Sequence, residues 1–414
     1  MSASMKRLLD HRRILLLQGK MGTFFCRFAT FLMDGGRTVH KINFNAGDAF
    51  FYCHKDKMSN YHGTLDAFDD FIDQIISEHD IDAVVCFNDC RPYHTIAKEV
   101  CAKRGVSFFV FEEGYLRPDY ITLEEHGING YSRLNPAMID SFDKANDAPK
   151  YTANRFWRLC VASIIYYAIV FLGQRYYPHY EHYRGLSIWQ EMMAWLIAPI
   201  RKAMRYYPDK ALQKRLMREA SGQFYLVSLQ VHNDSQITHH SDYADVTEFI
   251  REVMVSFAKF APQGTQILFK HHPLDRGHRD YKGLIAKWAD ELGISGRVHY
   301  GCDMHLPSLI RHSIGMITVN STTGLQSIYH KKPTKIMGRA LYDIQGLTDQ
   351  QSLDEFWRHP TAPDYEFYLK FREYLIEQTQ LNGSFYGTSP WALPYIHAQE
   401  VGVPPKKSKY QPLG

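Results

Sequence analysis

The sequence predicts an α/β protein built from two parallel-sheet domains with a helical insertion between them. First, short apolar runs typical of buried strands alternate with helical patterns in both halves of the chain, an order that indicates doubly wound parallel sheets. Second, this alternation stops between residues 151 and 219, where aromatic and aliphatic residues are mixed with Arg and Lys. Third, 414 residues exceed the usual length of one domain, so more than one hydrophobic core is expected.

The first half opens with a strand, a glycine-containing turn and a helix, which is how an α/β unit begins. Strands are predicted at Ile14–Leu17, Val39–Phe44, Ala83–Phe87 and Ser107–Phe111, and helices at Phe24–Leu32, Leu65–Glu78 and Ile96–Lys103. Together these elements predict a Rossmann-like domain over residues 1–150.

The composition of residues 151–219 predicts a helical insertion that contacts a membrane surface. Its aromatic rings favour the headgroup boundary of a bilayer, and its many Arg and Lys side chains are attracted to anionic lipid. The alternative is that these helices simply pack against the sheets.

The second half repeats the α/β order. Strands are predicted at Phe224–Leu229, Gln266–Phe269, Val298–Tyr300, Gly315–Val319 and Thr334–Met337, and helices at Tyr243–Phe260, Asp280–Leu292, Leu306–Arg311 and Thr322–Tyr329. They predict a second Rossmann-like domain over residues 220–350, followed at 351–414 by C-terminal helices and a tail. The helical part of this last segment is expected to pack on the first domain. Two such halves are typical of the architecture called GT-B, although other two-domain α/β enzymes share the pattern.

Composition narrows the class of protein further. The formal net charge of +4 does not indicate a nucleic-acid partner. The seven cysteines are odd in number and lack the spacing of a zinc site or a disulfide framework, so a reducing cytoplasm is expected. The longest apolar stretch, Leu159–Gly173, is shorter than the roughly 20 residues that span a bilayer, so no integral membrane protein is expected.

Polar residues follow the predicted strands of the first half. Backbone N–H groups in the turn between Gly19 and Gly22 lie at a helix start and are suited to anions, although a purely structural turn explains the glycines equally well. Glu112 and Glu113 follow the fourth strand, where the ligand crevice of an open sheet lies. Their repulsion would raise the pKa of one carboxyl and make a usable acid or base; solvated acids in a turn are the alternative.

Three polar clusters follow strands of the second half. In the first cluster, Asp234 is a candidate nucleophile or ribose ligand, whereas a helix N-cap is the alternative. In the second, Lys270 and His272 suit a nucleotide phosphate or a leaving group that gains negative charge. Adjacent histidines point in different directions, so one is expected to face a ligand and one to pack, rather than both to bind a metal. The third cluster, Ser321–Thr323, resembles a phosphate-binding loop at a helix start.

In this order the motifs resemble the KpsS branch of the capsule polysaccharide synthesis proteins. The segments that carry the resemblance are QGKMGTFF, INFNAGD, FEEGYLRPDYITLE, SLQVHNDSQI, FKHHPLDRG, NSTTGLQSIYHKKPTKIMG, YDIQGLTDQQSLDEFWR and QTQLNGSFYG, from about Leu15 to Gly387. One departure is Lys20-Met21, where Pro and a small or aliphatic residue are expected.

The resemblance implies a retaining β-Kdo glycosyltransferase of GT-B fold that uses CMP-β-Kdo to start or build an oligo-Kdo linker on lyso-phosphatidylglycerol. It implies that Asp234 is the nucleophile, that Glu113 is the acceptor-side base and that His272 stabilises the departing CMP. A nearby carboxylate also suits the oxocarbenium-like transition state of a keto-sugar acid. Lys270 and Arg117 are both candidates to pair with the sugar carboxylate.

The candidate site residues fall into three groups. They are catalytic Asp234, Glu113 and His272; donor-binding Lys270, His272, Pro273, Ser321, Thr322, Thr323 and Gln230; and further substrate-binding candidates Gly19, Gly22, Glu112, Arg117 and Asn233. The resemblance implies no cofactor and no metal.

Two other functions are compatible with the sequence: a CMP-sialic acid transferase and a noncatalytic component of the capsule export assembly. A scaffold would not need the candidate catalytic residues, which counts against the second. The implied partners are the CMP-sugar donor, a lyso-phosphatidylglycerol or Kdo-lipid acceptor, the inner-membrane surface, a partner Kdo transferase and the capsule export complex. The implied location is cytoplasmic, peripheral to the inner face of the bacterial inner membrane.

Overall fold

The computed structural model describes residues 1–143, 156–182, 188–232, 237 and 240–392, and the chain divides into two α/β units. Unit 1 comprises Met1–Ile128, Asn146–Glu181 and Leu375–Gly414, and unit 2 comprises Asn129–Ala145 and His182–Tyr374. The predicted fold class is confirmed, because each unit is Rossmann-like and the GT-B fold is made of two such units.

Unit 1 is built on a seven-stranded sheet. Its strands are β1 (Arg13–Leu16), β2 (Thr38–Asn43), β3 (Met58–Asn60), β4 (Ala83–Phe87), β5 (Ser107–Glu113), β6 (Tyr120–Glu125) and β12 (Gln380–Asn382). The spatial order is β12-β6-β5-β4-β1-β2-β3. The strands from β3 to β5 are parallel, whereas β6 and β12 are antiparallel to their neighbours.

Helices cover both faces of this sheet, and each face has its own apolar core. The helices are α1 (Ala3–Asp10), α2 (Phe24–Asp34), α3 (Ala46–Phe51), α4 (Phe68–Glu78), α5 (Pro92–Arg104) and α6 (Phe156–Gly173). The strands are apolar on both sides, as Ala83–Phe87 illustrates with five buried residues. Such continuous apolar runs are the mark of a parallel sheet covered on both faces.

Unit 2 is built on a five-stranded sheet whose strands are all parallel. Its strands are β7 (Phe224–Ser228), β8 (Gln266–Lys270), β9 (Val298–Gly301), β10 (Met316–Thr318) and β11 (Thr334–Ile336), in the spatial order β11-β10-β7-β8-β9. Its helices are α7 (Ile188–Glu219), α8 (Val246–Phe260), α9 (Lys282–Glu291), α10 (Leu306–His312), α11 (Thr323–Tyr329), α12 (Leu353–Phe356) and α13 (Tyr365–Gln378).

The segment predicted as one helical insertion is divided between the units. Helix α6 belongs to unit 1 and α7 to unit 2. Each helix is hydrogen-bonded to its own unit. In α6, the Tyr166 hydroxyl donates to Asp48 Oδ1 at 3.1 Å. In α7, Asp209 accepts from the backbone N–H groups of Cys302 and Asp303 at 2.8 and 2.7 Å. The C-terminal segment also divides, since α13 lies largely in unit 2 and β12 pairs with β6 in unit 1.

Helix α6 is longer and more apolar than the sequence analysis expects. Among the described residues, one helical stretch, Trp157–Tyr176, has the length and composition to cross a membrane, with 20 residues and a mean hydropathy of 1.4. The expectation that this stretch is too short is therefore wrong, because α6 begins three residues before the apolar run and a 3₁₀ turn, Gln174–Tyr176, continues the helical stretch after it. Large apolar side chains on its outer side are exposed: Trp157, Val161, Ile164, Ile165, Phe171 and Leu172.

A disulfide joins Cys26 of α2 to Cys53, which follows α3. The sequence analysis finds no disulfide framework, and for this pair that expectation is wrong. The two cysteines are 27 residues apart in the chain, and the fold brings α2 and the end of α3 together in a way that cysteine spacing does not reveal.

Candidate functional site

Each sheet has a topological switch point, where successive crossovers leave in opposite directions. In unit 1 it lies between β1 and β4, and in unit 2 between β7 and β10. Ligands of open α/β sheets bind outside the carboxyl ends of the strands at such points. The loops after these four strands are therefore the places where functional side chains are expected.

In unit 1 the first loop and the end of β5 meet through an ion pair. Lys20 binds the Glu113 carboxylate, and its ammonium lies over the rings of Phe87 and Phe385, at 4.7 and 5.3 Å from their centroids. The sequence analysis treats Lys20 only as a departure from the family pattern. The structure gives it a direct partner among the candidate catalytic residues.

The two adjacent carboxyl groups have different environments. Burial raises the pKa of Glu112, whose oxygens accept from the Glu113 N–H at 2.9 Å and from Asn88 Nδ2 at 3.1 Å. Burial also opposes ionisation of Glu113, but Lys20 and Arg117 outweigh it and the pKa of Glu113 is lowered. Glu112 therefore holds the end of β5, whereas Lys20 and Arg117 favour the charged form of the partly exposed Glu113.

Glycines shape the backbone around this pair. A side chain at Gly114 would overlap the backbone oxygen of Tyr120, at 2.1 Å from the added Cβ. Gly22 has a φ of +109°, a conformation that L side chains rarely adopt, and a Cβ at Gly19 would touch the ring of Phe25 at 2.8 Å. The exposed Arg117 donates to the Gly114 carbonyl at 3.3 Å, so its guanidinium stays near Glu113.

In unit 2 the two loops of the switch point are tied together by side-chain amides. Gln230 donates through Nε2 to Asn320 Oδ1 at 3.0 Å and accepts from the Asn320 N–H at 3.2 Å. The next residues, Ser321–Thr323, open α11, and the Thr323 N–H donates to Ser321 Oγ at 3.3 Å. Gln230 thus positions the Ser/Thr loop, in addition to any contact it makes with a donor.

Lys270 at the end of β8 and the two histidines that follow it have different environments. Lys270 is buried, which lowers its pKa, and its Nζ lies 3.5 Å from the Cys302 carbonyl oxygen. His271 is buried and hydrogen-bonded through both ring nitrogens. His272 is partly exposed, and its Nδ1 accepts from the Leu274 N–H at 3.2 Å in the turn that Pro273 begins. One histidine is therefore packed, as predicted, and the other is partly exposed; that His272 faces a ligand stays a prediction.

A buried carboxylate beneath this loop orients a further histidine. Asp275, wholly buried, lies 2.6 Å from His232 Nδ1 and 3.1 Å from His271 Nε2. Burial opposes its ionisation, but hydrogen bonds from the two imidazoles outweigh burial and lower the pKa of Asp275 well below its usual range. The arrangement fixes the His232 ring at the end of β7.

The sequence analysis did not assign a role to His232. The polar run Gln230–Gln236 was the available signal, but its connection to Asp275 depends on the fold. Asn233 and Asp234, the latter being the predicted nucleophile, lie outside the described residues.

Comparison with known proteins gives a consistent set of similarities. A family model described as capsule polysaccharide biosynthesis protein matches residues 82–386. The chain is 43% identical over 383 residues to capsule polysaccharide modification protein LipB of Neisseria meningitidis serogroup B, covering 90% of this chain and 91% of that protein. It is 40% identical over 391 residues to capsule polysaccharide export protein KpsS of Escherichia coli, covering 92% and 98%.

Among solved structures, the chain is similar to the beta Kdo 2,7 transferase of Thermosulfurimonas dismutans KpsC. The TM-score is 0.43 and the identity 13%, with 86% of this chain and 89% of that chain covered. A similarity this distant carries no argument about activity.

Proposed function

The chain belongs to the capsule polysaccharide biosynthesis family, and from this membership we propose that it is a retaining glycosyltransferase that uses CMP-β-Kdo to start or build an oligo-Kdo linker on lyso-phosphatidylglycerol. One observation carries the proposal: polar residues of the second-half motifs lie at or just after the carboxyl ends of β7, β8 and β10, and the switch point of unit 2 lies between β7 and β10. These residues are Gln230, His232, Lys270, His272 and Ser321–Thr323.

On the donor side, the Ser321–Thr323 loop and His272 bind the CMP phosphate. Cleavage of the bond between the anomeric carbon and the phosphate oxygen leaves negative charge on CMP. The Nε2–H of His272, whose Nδ1 accepts from the Leu274 N–H, stabilises that charge. Lys270 or Arg117 pairs with the sugar carboxylate. This arrangement activates the leaving group without a metal ion.

Two displacements then retain the anomeric configuration. The Asp234 carboxylate attacks the anomeric carbon as CMP leaves, which forms a glycosyl ester with inverted configuration. The acceptor hydroxyl, which loses its proton to Glu113, attacks the same carbon and releases Asp234. The second inversion restores the β configuration.

The location that we propose is the inner face of the inner membrane, with α6 as the contact. Its outer apolar side chains are exposed, whereas Tyr166 is buried and anchored to Asp48. A helix held along the surface of a unit by its inner side lies in the interface plane rather than across the bilayer.

Incubation of the purified chain with CMP-Kdo and lyso-phosphatidylglycerol tests the proposal. Kdo-lipid should form with release of CMP, and activity should persist in EDTA. His272→Ala should raise the barrier by about 3 kcal/mol, the cost of losing one charge-stabilising contact. Asp234→Asn should be nearly inactive yet bind CMP, because the amide is similar in shape but a poor nucleophile.

Two outcomes would replace the proposal. Transfer from CMP-sialic acid but not from CMP-Kdo would identify a sialic acid transferase. Absence of transfer from either donor, with capsule export restored in cells by an Asp234→Asn variant, would identify a noncatalytic export component.

A further inference from the structure

A second feature of unit 1 is a recess beside the first loop, which shares Lys20 with the ion pair at the end of β5. Its walls come from the first loop, β2, α3 and α6, and include Lys20, Lys41, Asp48, Tyr52 and Tyr166. The floor has room for about one water-sized group, with roughly 10 Å³ free, and the recess with its open mouth measures about 260 Å³. The floor therefore admits one polar atom of a ligand, and the rest of that ligand would lie in the open mouth.

Lys41 places a cation in the wall of the recess. It lies within β2 and is 3% exposed, although lysine is seldom so deeply buried. Its Nζ donates to Asn43 Oδ1 at 2.7 Å and to the Ile42 carbonyl at 3.1 Å. Burial lowers the pKa of Lys41 to about 8. An anion bound in the recess would stabilise the charged form of Lys41 and so raise its pKa again.

Tyr52 adds a hydrogen-bond donor that the protein does not use. The residue is 1% exposed, and its hydroxyl has no hydrogen-bond partner among the described residues. Burial raises the pKa of Tyr52, so the hydroxyl stays protonated. A buried polar group without a partner costs free energy, which points to a ligand atom as its acceptor.

The carboxylate of the recess is already satisfied. Asp48 accepts from the Phe44 N–H at 3.2 Å, from Gln18 Nε2 at 3.0 Å and from the Tyr166 hydroxyl at 3.1 Å. The groups left to bind a ligand are therefore the Tyr52 hydroxyl and the remaining N–H of the Lys41 ammonium, for which the charge of Asp48 offsets burial only in part. A ligand that complements them accepts hydrogen bonds and carries negative charge, as an organic phosphate does.

Two further observations indicate that this phosphate belongs to a lipid. Lys20 lines the recess and also binds Glu113, so a ligand there lies next to the proposed acceptor base. Phe50 of α3 is 57% exposed, and the outer side of α6 is apolar. Both of these helices line the recess, so an apolar surface for an acyl chain adjoins the polar pocket.

We propose that this recess binds the phosphate of the acceptor lipid's head group, through Lys41 and Tyr52, and directs a head-group hydroxyl toward Glu113. The acyl chain leaves the recess over the exposed side of α6. This inference rests on the proposed function for the identity of the acceptor, but the binding site can be tested without the sugar donor.

Calorimetric titration of the full chain with three probes tests the site. The probes are lyso-phosphatidylglycerol below its micellar concentration, monoacylglycerol with the same acyl chain and no phosphate, and glycerol 3-phosphate without an acyl chain. Lys41→Met should weaken lyso-phosphatidylglycerol binding by about tenfold or more, and Tyr52→Phe by about threefold to tenfold, the range expected for lost charged and neutral hydrogen bonds. Binding of monoacylglycerol should be equal in all variants.

Matched controls separate this effect from general damage to unit 1. Tyr61→Phe removes a bonded hydroxyl from a buried tyrosine that does not line the recess, and Lys103→Met removes an exposed charge from α5. Both should bind lyso-phosphatidylglycerol as the wild type does. Tyr52→Phe should melt at the wild-type temperature or above it, because the hydroxyl that it loses has no partner in the part of the chain that the structure describes. If Lys41→Met does not fold, the affinity of Tyr52→Phe alone tests the site.

Folded Lys41→Met and Tyr52→Phe variants that bind lyso-phosphatidylglycerol at wild-type affinity would overturn the inference. Equal affinity of the wild type for glycerol 3-phosphate and lyso-phosphatidylglycerol would overturn its lipid part. The proposed function can be rejected independently of this inference. If the wild type consumes no CMP-sugar but both variants lose lipid binding, the phosphate site is supported and the transferase activity is rejected. If Lys41→Met transfers Kdo to lipid at the wild-type rate, the transferase activity is supported and the phosphate site in the recess is rejected.

Discussion

At the scale of single residues, Lys20 sets the charge state of Glu113. The ion pair lowers the pKa of Glu113 against the effect of burial. Lys20→Met should therefore raise that pKa, and the acid limb of the pH profile of kcat/KM should move to higher pH. Lys103→Met, with the same loss of charge at the end of α5, should leave the profile unchanged. An acid limb that stays in place in Lys20→Met would show that Glu113 is not the titrating base.

The buried carboxylate of Asp275 should make the stability of the fold depend on pH. Its folded-state pKa lies below the unfolded value, so the ionised carboxylate stabilises the fold above about pH 4 and this contribution is lost as the pH falls further. Asp275→Asn should lower the free energy of unfolding by about 1–3 kcal/mol at pH 7, and the difference from wild type should shrink at pH 3.

Urea titrations at both pH values measure this difference. Asp242→Asn, which changes a carboxylate that is 96% exposed, is the control and should have an effect below about 1 kcal/mol. A difference for Asp275→Asn that is equal at pH 7 and pH 3 would contradict the assigned ionisation.

Individual site residues were predictable where the chemistry is local. The adjacency of His271 and His272 is enough to predict that one packs and one faces outward. The pairs Lys20–Glu113 and His232–Asp275 were not predictable, because their members are 93 and 43 residues apart in the chain. Only the order of strands in each sheet brings such partners together.

At the scale of elements, the parallel strands β1, β2, β4 and β5 of unit 1 and all five strands of unit 2 were predictable, whereas β3, β6 and β12 of unit 1 were not. Strands β4 and β8 were anticipated because their apolar runs are continuous. Strands β3 and β12 have only three residues each, Met-Ser-Asn and Gln-Leu-Asn. Their pairing depends on the neighbouring strand rather than on their own pattern, since strand propensity is largely a matter of context.

Helix α6 is the element that should hold the chain at a membrane. Ile164→Glu with Leu172→Glu places two charges on side chains that are 64% and 76% exposed, so folding should be retained. Flotation with anionic vesicles should fall by about tenfold or more, since burial of each apolar side chain contributes about 1.5–3 kcal/mol. Transfer to a water-soluble acceptor should continue.

The control for this experiment is Met138→Glu, in which an apolar side chain of unit 2 that is 49% exposed is changed in the same way. Unchanged flotation of the α6 variant would assign the membrane contact to another surface. Helix α7 is a weaker candidate, because Arg201 donates to the carbonyls of Arg276 and Arg279, and Arg205 pairs with Asp280.

At the scale of the whole molecule, the two units should respond differently to the donor nucleotide. Hydrogen exchange with CMP present should show protection in unit 2 at the loops after β7, β8 and β10, and little change in unit 1. CMP at about 100 times its Kd should stabilise the folded state by about 2.7 kcal/mol, and cytidine, which lacks the phosphate, should stabilise it less. Protection confined to unit 1 would place the donor site in the other sheet.

The pairing of β12 with β6 has a consequence for how the molecule is made. Residues 380–382 complete the sheet of unit 1, and Phe385 packs against Phe24 with ring centroids 4.6 Å apart. During translation, all of unit 2 leaves the ribosome before these residues do. Unit 1 therefore begins first and finishes last, and the part of α2 that Phe385 covers stays exposed while unit 2 folds. A nascent chain that stops short of β12 would present this aromatic surface to chaperones and proteases.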